Sequence, residues 1–283
     1  VSASLVARGV ECPVRNCSSD TQRLAFDVHN RFVELMQQVG LPGRSADTLR
    51  LALYRAGLQH DAGNQHEDVA AGVSKLVACL SSASADTSHA FNGTVRSVVT
   101  CHYRQCGHVG DKADPTAVFT IPTSKTQELQ ACIDVAFGGD NAIAAYDCPR
   151  HRRRGPATIK YAVAQAPAII VLDLTNPIVS RQGVRFGNTI RFGPDAQQFD
   201  LVAAIWRTGA STQLGHFVAV CRYGSAWFVM NDGHISQVES AQSTSPPLPG
   251  AAVKMLFYCS TESGVAAAAK ATGAKRRLFF GHS

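Results

Sequence analysis

An α+β fold is predicted by three observations: the N-terminal third repeats apolar residues at helical spacing, the remainder consists of β-branched runs, and the helical patterns precede the strands rather than alternating with them. Ser19 and Gln22 have the spacing of a capping box. Leu24, Val28, Phe32, Leu35, Met36 and Val39 then continue a helix that Gly40, Pro42 and Gly43 end. A second helical pattern runs from about Asp47 to Leu58, and a third from Glu67 to Leu80 with Val69, Val73, Leu76, Val77 and Leu80 on one face. The small polar run Ser81 to Ser88 reads as a loop.

After Phe91 the period changes. Strands are predicted at 95–100, 117–121, 158–163, 168–174, 184–192, 199–207, 216–222, 226–230 and 252–258, the fourth of them buried. Gln127 to Phe137 reads as a short helix, Ser243 to Gly250 as a proline-rich loop, and residues 264–283 as an alanine-rich, then basic tail. One domain over 1–263 follows, helical to about residue 90 and β-rich from about 91 onward.

The 283 residues are 45% hydrophobic and 17% charged, which excludes a disordered chain and a membrane bundle. Such a length buries roughly 70–75% of its unfolded surface, so it folds without disulfides. No run approaches the ~20 apolar residues of a membrane span, and Arg8, Glu11 and Arg15 interrupt any signal peptide. Nine cysteines, an odd number without regular spacing, point to a reducing compartment, cytoplasmic or nuclear. The sequons at Asn16 and Asn92 are then incidental. Opening on Val1 suggests excision from a longer chain. The net charge of +6 does not by itself argue for a nucleic-acid partner.

Cys17 precedes the proposed N-cap of the first helix, where the helix dipole and unpaired N–H groups favour thiolate. Asp20 opposes this, and a buried inert thiol is the competing reading. A nucleophilic cysteine needs an imidazole and a group to orient it. His216 opens a strand after Gly215, whose missing side chain permits close approach of a neighbouring backbone. A turn near Gly224 leads to a second strand ending at Asn231 and Asp232. Counting from that turn sets His216 and Asn231 face to face, as a Cys-His-Asn or Cys-His-Asp triad requires. A surface hairpin with a polar mouth is the alternative.

Cys101 and Cys106 form a Cys-x4-Cys pair, and Cys148 and His151 a Cys-x2-His pair. Two such knuckles can supply four ligands to tetrahedral zinc, with His102 or His108 as possible replacements. Arg152, Arg153 and Arg154 follow the second knuckle. No aromatic residue interleaves these arginines, so a nucleic-acid partner is not expected.

Taken in order, these features resemble the catalytic domain of the ubiquitin-specific proteases, papain-like deubiquitinases. The strongest part is Leu214-Gly215-His216-Phe217-Val218-Ala219-Val220 with Trp227 and Asn231-Asp232, similar to the family's histidine box. Asn64-Gln65-His66-Glu67-Asp68 is similar to its Gln-Gln-Asp box, the two knuckles to its zinc-tipped fingers, and Leu256-Phe257-Tyr258 to its closing strand. Gly9-Val10 precede Cys17 at the distance of the family's Gly-Leu-x-Asn-x-Gly-Asn-Thr-Cys pattern, but Cys12 stands at the oxyanion asparagine. The resemblance implies a helical thumb over about 1–90, a β-rich palm and fingers, and hydrolysis after the C-terminal glycine of ubiquitin or a ubiquitin-like protein. Cys17 would be the nucleophile, with Cys12 as the alternative, and His216 the base. Asn231 would orient the imidazole, with Asp232 competing for that role. Asp68 and Gly215 would help bind the substrate tail. Two rival expectations are a self-processing protease of a polyprotein, viral for instance, and an inactive ubiquitin-binding module. The first draws on Val1 and on Arg276-Arg277-Leu278-Phe279-Phe280-Gly281, which loosely resembles the tail of ubiquitin.

Overall fold

A computed structural model describes residues 69–83, 85–123, 128–175, 183–209, 215–232 and 234–261. The two helices predicted before residue 60, with Cys12, Cys17 and Asp68, lie outside these residues, as does the tail. The described chain is mixed α+β. It begins with α1 (Val69–Ala83) and α2 (Ala85–Phe91). Then come β1 (Gly93–Cys101), β2 (Val109–Thr116), β3 (Phe119–Pro122), α3 (Leu129–Gly138), β4 (Asp140–Cys148) and β5 (Arg153–Gln165). The remaining strands are β6 (Ile169–Thr175), β7 (Thr189–Phe192), β8 (Gln197–Thr208), β9 (His216–Tyr223), β10 (Ala226–Asn231), β11 (His234–Val238) and β12 (Ala252–Ser260). Among the described residues no helix is long and apolar enough to cross a membrane.

Two sheets organise the described residues. The larger has the order β11-β10-β9-β8-β12-β6-β3, with β7 added to β8. Every pairing in it is antiparallel except β3 on β6. β6 reads Ile-Ile-Val-Leu-Asp-Leu-Thr because both of its faces are covered. Ile170, Leu172 and Leu174 enter the main core, and Val171 joins Met255 and Ala70 of α1 on the other face. In the main core, Phe192 meets Phe119, Phe137 and Phe199 edge to face, with centroids 5.0, 5.6 and 6.3 Å apart. The fully buried Tyr258 donates its hydroxyl to the Gly187 carbonyl at 3.0 Å.

The smaller sheet, β2-β1-β5-β4, is antiparallel; β2, β4 and much of β5 are exposed, β1 is mostly half-buried, and Val163 of β5 enters the main core with Val95 of β1 packed against it. It joins the main body at Gly93. A Cβ there would come within 2.7 Å of the Gln165 carbonyl oxygen, 2.8 Å of Pro167 Cδ and 3.0 Å of Phe119 Cζ.

Several elements differ from the sequence reading. Ala85–Phe91, inside and beyond the expected loop, is helical and ends where the Asn92 amide donates to Ser88 Oγ. β2, β4 and β11 were not expected. They are edge strands held by one ladder each, so they need little apolar patterning. The strand expected over 184–192 is confined to Thr189–Phe192. The stretch before it contacts α3 instead, through the Glu128–Arg185 bridge and ion pair. Among the other described cysteines, Cys79, Cys132 and Cys259 are buried and Cys221 is half-buried.

Gly93→Ala should destabilise the domain by about 1–3 kcal/mol, because neither backbone nor proline can yield at the junction. Differential scanning calorimetry would register this as a Tm lower by roughly 3–10 °C.

Candidate active site and metal centre

β9 and β10 join through the two-residue turn Gly224-Ser225, with Gly224 at φ 61°. A positive φ at the first central residue suits glycine in a tight hairpin. The ladder runs from Tyr223↔Ala226 to Ala219↔Met230. Continued by one step it sets Asn231 opposite Val218, so His216 and Asn231 are diagonal neighbours rather than face to face. Alternation puts both on the same side of the sheet, within reach of longer side chains. His216 Nε2 lies 2.5 Å from Asn231 Oδ1. An amide oxygen only accepts, so Nε2 donates, and the Nδ1 lone pair of the neutral ring is left to take up a proton. Asp232, at φ 51°, points outward: its side chain is 82% exposed and its Oδ2 is 3.9 Å from the same Nε2.

Gly215 lies under a close contact that the sequence only partly indicates. A Cβ there would meet the Thr208 carbonyl oxygen at 2.8 Å, but also Arg207 Nε at 2.7 Å and Nη2 at 2.8 Å. Thr208 pairs with His216, and the Arg207 guanidinium also lies 6.0 Å from the Phe217 ring centroid. The missing side chain at 215 therefore lets an arginine pack beside the histidine-bearing strand.

The other site stands at the far end of the smaller sheet. Cys101 ends β1, Cys148 ends β4, and Cys106 and His151 lie in the connections beyond them. Their four ligand atoms lie within 4.8 Å of one another. Cys106 Sγ is 3.7 Å from Cys148 Sγ, and Cys101 Sγ is 3.3 Å from His151 Nε2. Tetrahedral zinc would separate two sulfurs by about 3.8 Å, and a sulfur and a nitrogen by about 3.5 Å. The set could therefore hold a metal ion, and its three thiols and imidazole suit zinc.

The surroundings act in both directions. Cys101 and Cys148 are each 1% exposed. Burial raises the Cys101 thiol above its usual pKa. Burial also opposes ionisation of Cys148, but the backbone N–H groups of His151 and Arg150 and the neighbouring thiols outweigh it and hold that pKa down. The Tyr103 ring stacks on His151 at 4.6 Å, in space that Gly155 leaves open; a Cβ at 155 would come within 2.9 Å of the ring. The Arg153 N–H reaches His151 Nδ1 at 3.1 Å. Zinc held through Nε2 would leave the ring proton on Nδ1 and displace that bond, as it would replace the Sγ–Nε2 and Sγ–Sγ hydrogen bonds. His102 bonds Thr158 Oγ1 at 2.6 Å and stays outside the cluster, as does His108.

No protein-family model matches the sequence. The chain is similar to ubiquitin carboxyl-terminal hydrolase 23 of Arabidopsis thaliana, at 26% identity over 164 residues. The match covers 52% of this chain and 19% of that protein.

Elemental analysis of the purified chain should find roughly one divalent ion per molecule, lost in Cys148→Ser. Gly155→Ala, which pushes Tyr103 off His151, should weaken ion retention against a chelator by about tenfold.

Proposed function

We propose that the chain is a papain-like thiol hydrolase of the ubiquitin-specific protease type, cleaving the peptide or isopeptide bond after the C-terminal glycine of ubiquitin or a ubiquitin-like protein. The observation that carries this reading is the His216–Asn231 hydrogen bond. It leaves a basic nitrogen available at the mouth of the hairpin. The similarity to a plant ubiquitin carboxyl-terminal hydrolase supports it independently.

In this reading the Cys17 thiol gives its proton to His216 Nδ1 and attacks the glycine carbonyl. His216 then protonates the leaving amine and afterwards deprotonates the water that hydrolyses the thioester. Asn231 fixes the ring, and its 2.5 Å contact favours it over Asp232 as orienter. The Cys17 backbone N–H supplies one oxyanion donor. Asp68 and the side-chain-free Gly215 accommodate the substrate tail. Cys101, Cys106, Cys148 and His151 hold zinc in a structural role, because all four positions are filled by protein ligands. The odd, irregularly spaced set of nine cysteines supports a reducing cytoplasmic or nuclear setting.

A ubiquitin probe with a thiol-reactive C-terminus tests the assignment. The wild-type chain should form an adduct and Cys17→Ala none. His216→Ala should slow labelling by about 10²–10⁴-fold. Asn231→Ala should slow it by roughly 10²-fold, and Asp232→Ala far less. Labelling that survives Cys17→Ala but not Cys12→Ala moves the nucleophile to Cys12. Ubiquitin binding without any adduct replaces the enzyme by a binding module.

A further inference from the structure

We propose that the tip of the smaller sheet is a phosphate-binding surface for double-stranded nucleic acid, built from residues that take no part in the His216–Asn231 pair. Arg104, Arg150, Arg152, Arg153 and Arg154 are gathered there by the two knuckles, and all five are exposed. Among the described residues, Asp147 is the one carboxylate ion-paired with any of them, through Arg154 at 3.2 Å. Arg150 uses one Nη to bond the Cys106 carbonyl, and Arg153 reaches the Tyr103 hydroxyl at 3.4 Å, so each fork keeps further donors. Arg104 and Arg152 make no ion pair or side-chain hydrogen bond among the described residues.

The backbone adds a second observation. Arg104 sits at φ 39° and Arg152 at φ 52°, the left-handed region where glycine or asparagine is at ease and a long side chain is not. Each knuckle thus keeps a guanidinium at a position its backbone would rather give to a smaller residue.

Shape decides between partners. Arg153 and Arg154 are successive residues of β5, so their side chains leave opposite faces of the sheet, while Arg104 and Arg150 lie on the connections at its end. Positive charge therefore lies on both faces of this sheet edge, offset on one of them where Arg154 pairs with Asp147. A groove between two phosphate strands meets such an edge from both sides, whereas an acidic peptide offers a single line of carboxylates. Guanidinium forks match phosphate oxygens two at a time. Tyr103 has His151 against its ring at 4.6 Å and the Arg104 guanidinium 5.4 Å from its centroid, so its ring is already engaged by neighbours of the same tip. Binding is then independent of sequence and favours duplex over single strands. The absence of interleaved aromatic residues, which in sequence argued against a nucleic-acid partner, argues only against base recognition.

Fluorescence anisotropy of the full chain with a labelled 20-base-pair duplex across a salt series tests this. Log affinity should fall linearly with log salt at about 0.9 per phosphate contacted, or on the order of 100-fold between 50 and 200 mM for four contacts. Arg104→Asn combined with Arg152→Asn, which suits the left-handed backbone, should flatten the slope by about 2 and weaken binding at least tenfold at low salt. Metal content and ubiquitin-probe labelling should not change. The proposal is overturned by absent duplex binding, by a salt slope the double variant leaves intact, or by single-stranded RNA or polyglutamate binding as tightly as the duplex.

Discussion

The insertion of β12 between β6 and β8 is the constraint on which the rest of the domain depends. One edge of β12 pairs with β6 from Met255 to Cys259, the other with β8 from Ala252 to Ser260. Val253, Met255, Leu256, Tyr258 and Cys259 are buried along it, at roughly 1.5–3 kcal/mol for each large side chain. Lys254, at a register irregularity, reaches Asp173 at 2.5 Å in a pair whose side chains are 15% and 14% exposed. Such a pair adds little net stability, but either partner alone would be costly to bury. β12 thereby fixes the hairpin carrying His216 and Asn231 relative to β6 and to α1 packed on it.

The smaller sheet obeys a different rule. Val163 of β5, with Val95 of β1 against it, ties the base of this sheet to the main core, while toward the tip its strands bury little and depend on their ends. At the base, Gly93 lets β1 press against Phe119, Pro167 and the Gln165 backbone. At the tip, two pairs of ligands from distant parts of the chain converge. An ion there would contribute directly to the ordering of the sheet rather than to chemistry. Tyr103 over His151, admitted by Gly155, keeps the imidazole oriented toward the thiols.

Legibility in the sequence followed burial. β6, β8, β9, β10 and β12 carry apolar or alternating patterns because at least one of their faces meets the core, and their positions were readable to within a few residues. β2, reading Val-Gly-Asp-Lys-Ala-Asp-Pro-Thr, contains residues that strands usually avoid and exists through its ladder with β1. The grouping of Cys101, Cys106, Cys148 and His151, which could hold a metal ion, was legible from the spacing of the two ligand pairs. The histidine hairpin was legible in kind but not in register: the turn centre lies between Gly224 and Ser225, which turns a facing pair into a diagonal one. The Arg207 contact on Gly215 was not legible, because nothing local predicts which side chain a missing Cβ admits.

The outer strands of the smaller sheet also determine how other molecules can approach it. β2 displays Asp111, Lys112 and Asp114 and places Pro115, which has no N–H to donate, in its last turn of ladder. β4 breaks register between Ile143 and Tyr146. Charge, proline and irregularity are the devices by which open sheet edges avoid edge-to-edge association. A second copy of the chain therefore finds no template along either margin. Visitors must dock by side chains on the faces or the tip, where contacts can be reversible and selective, rather than by extending the backbone ladder.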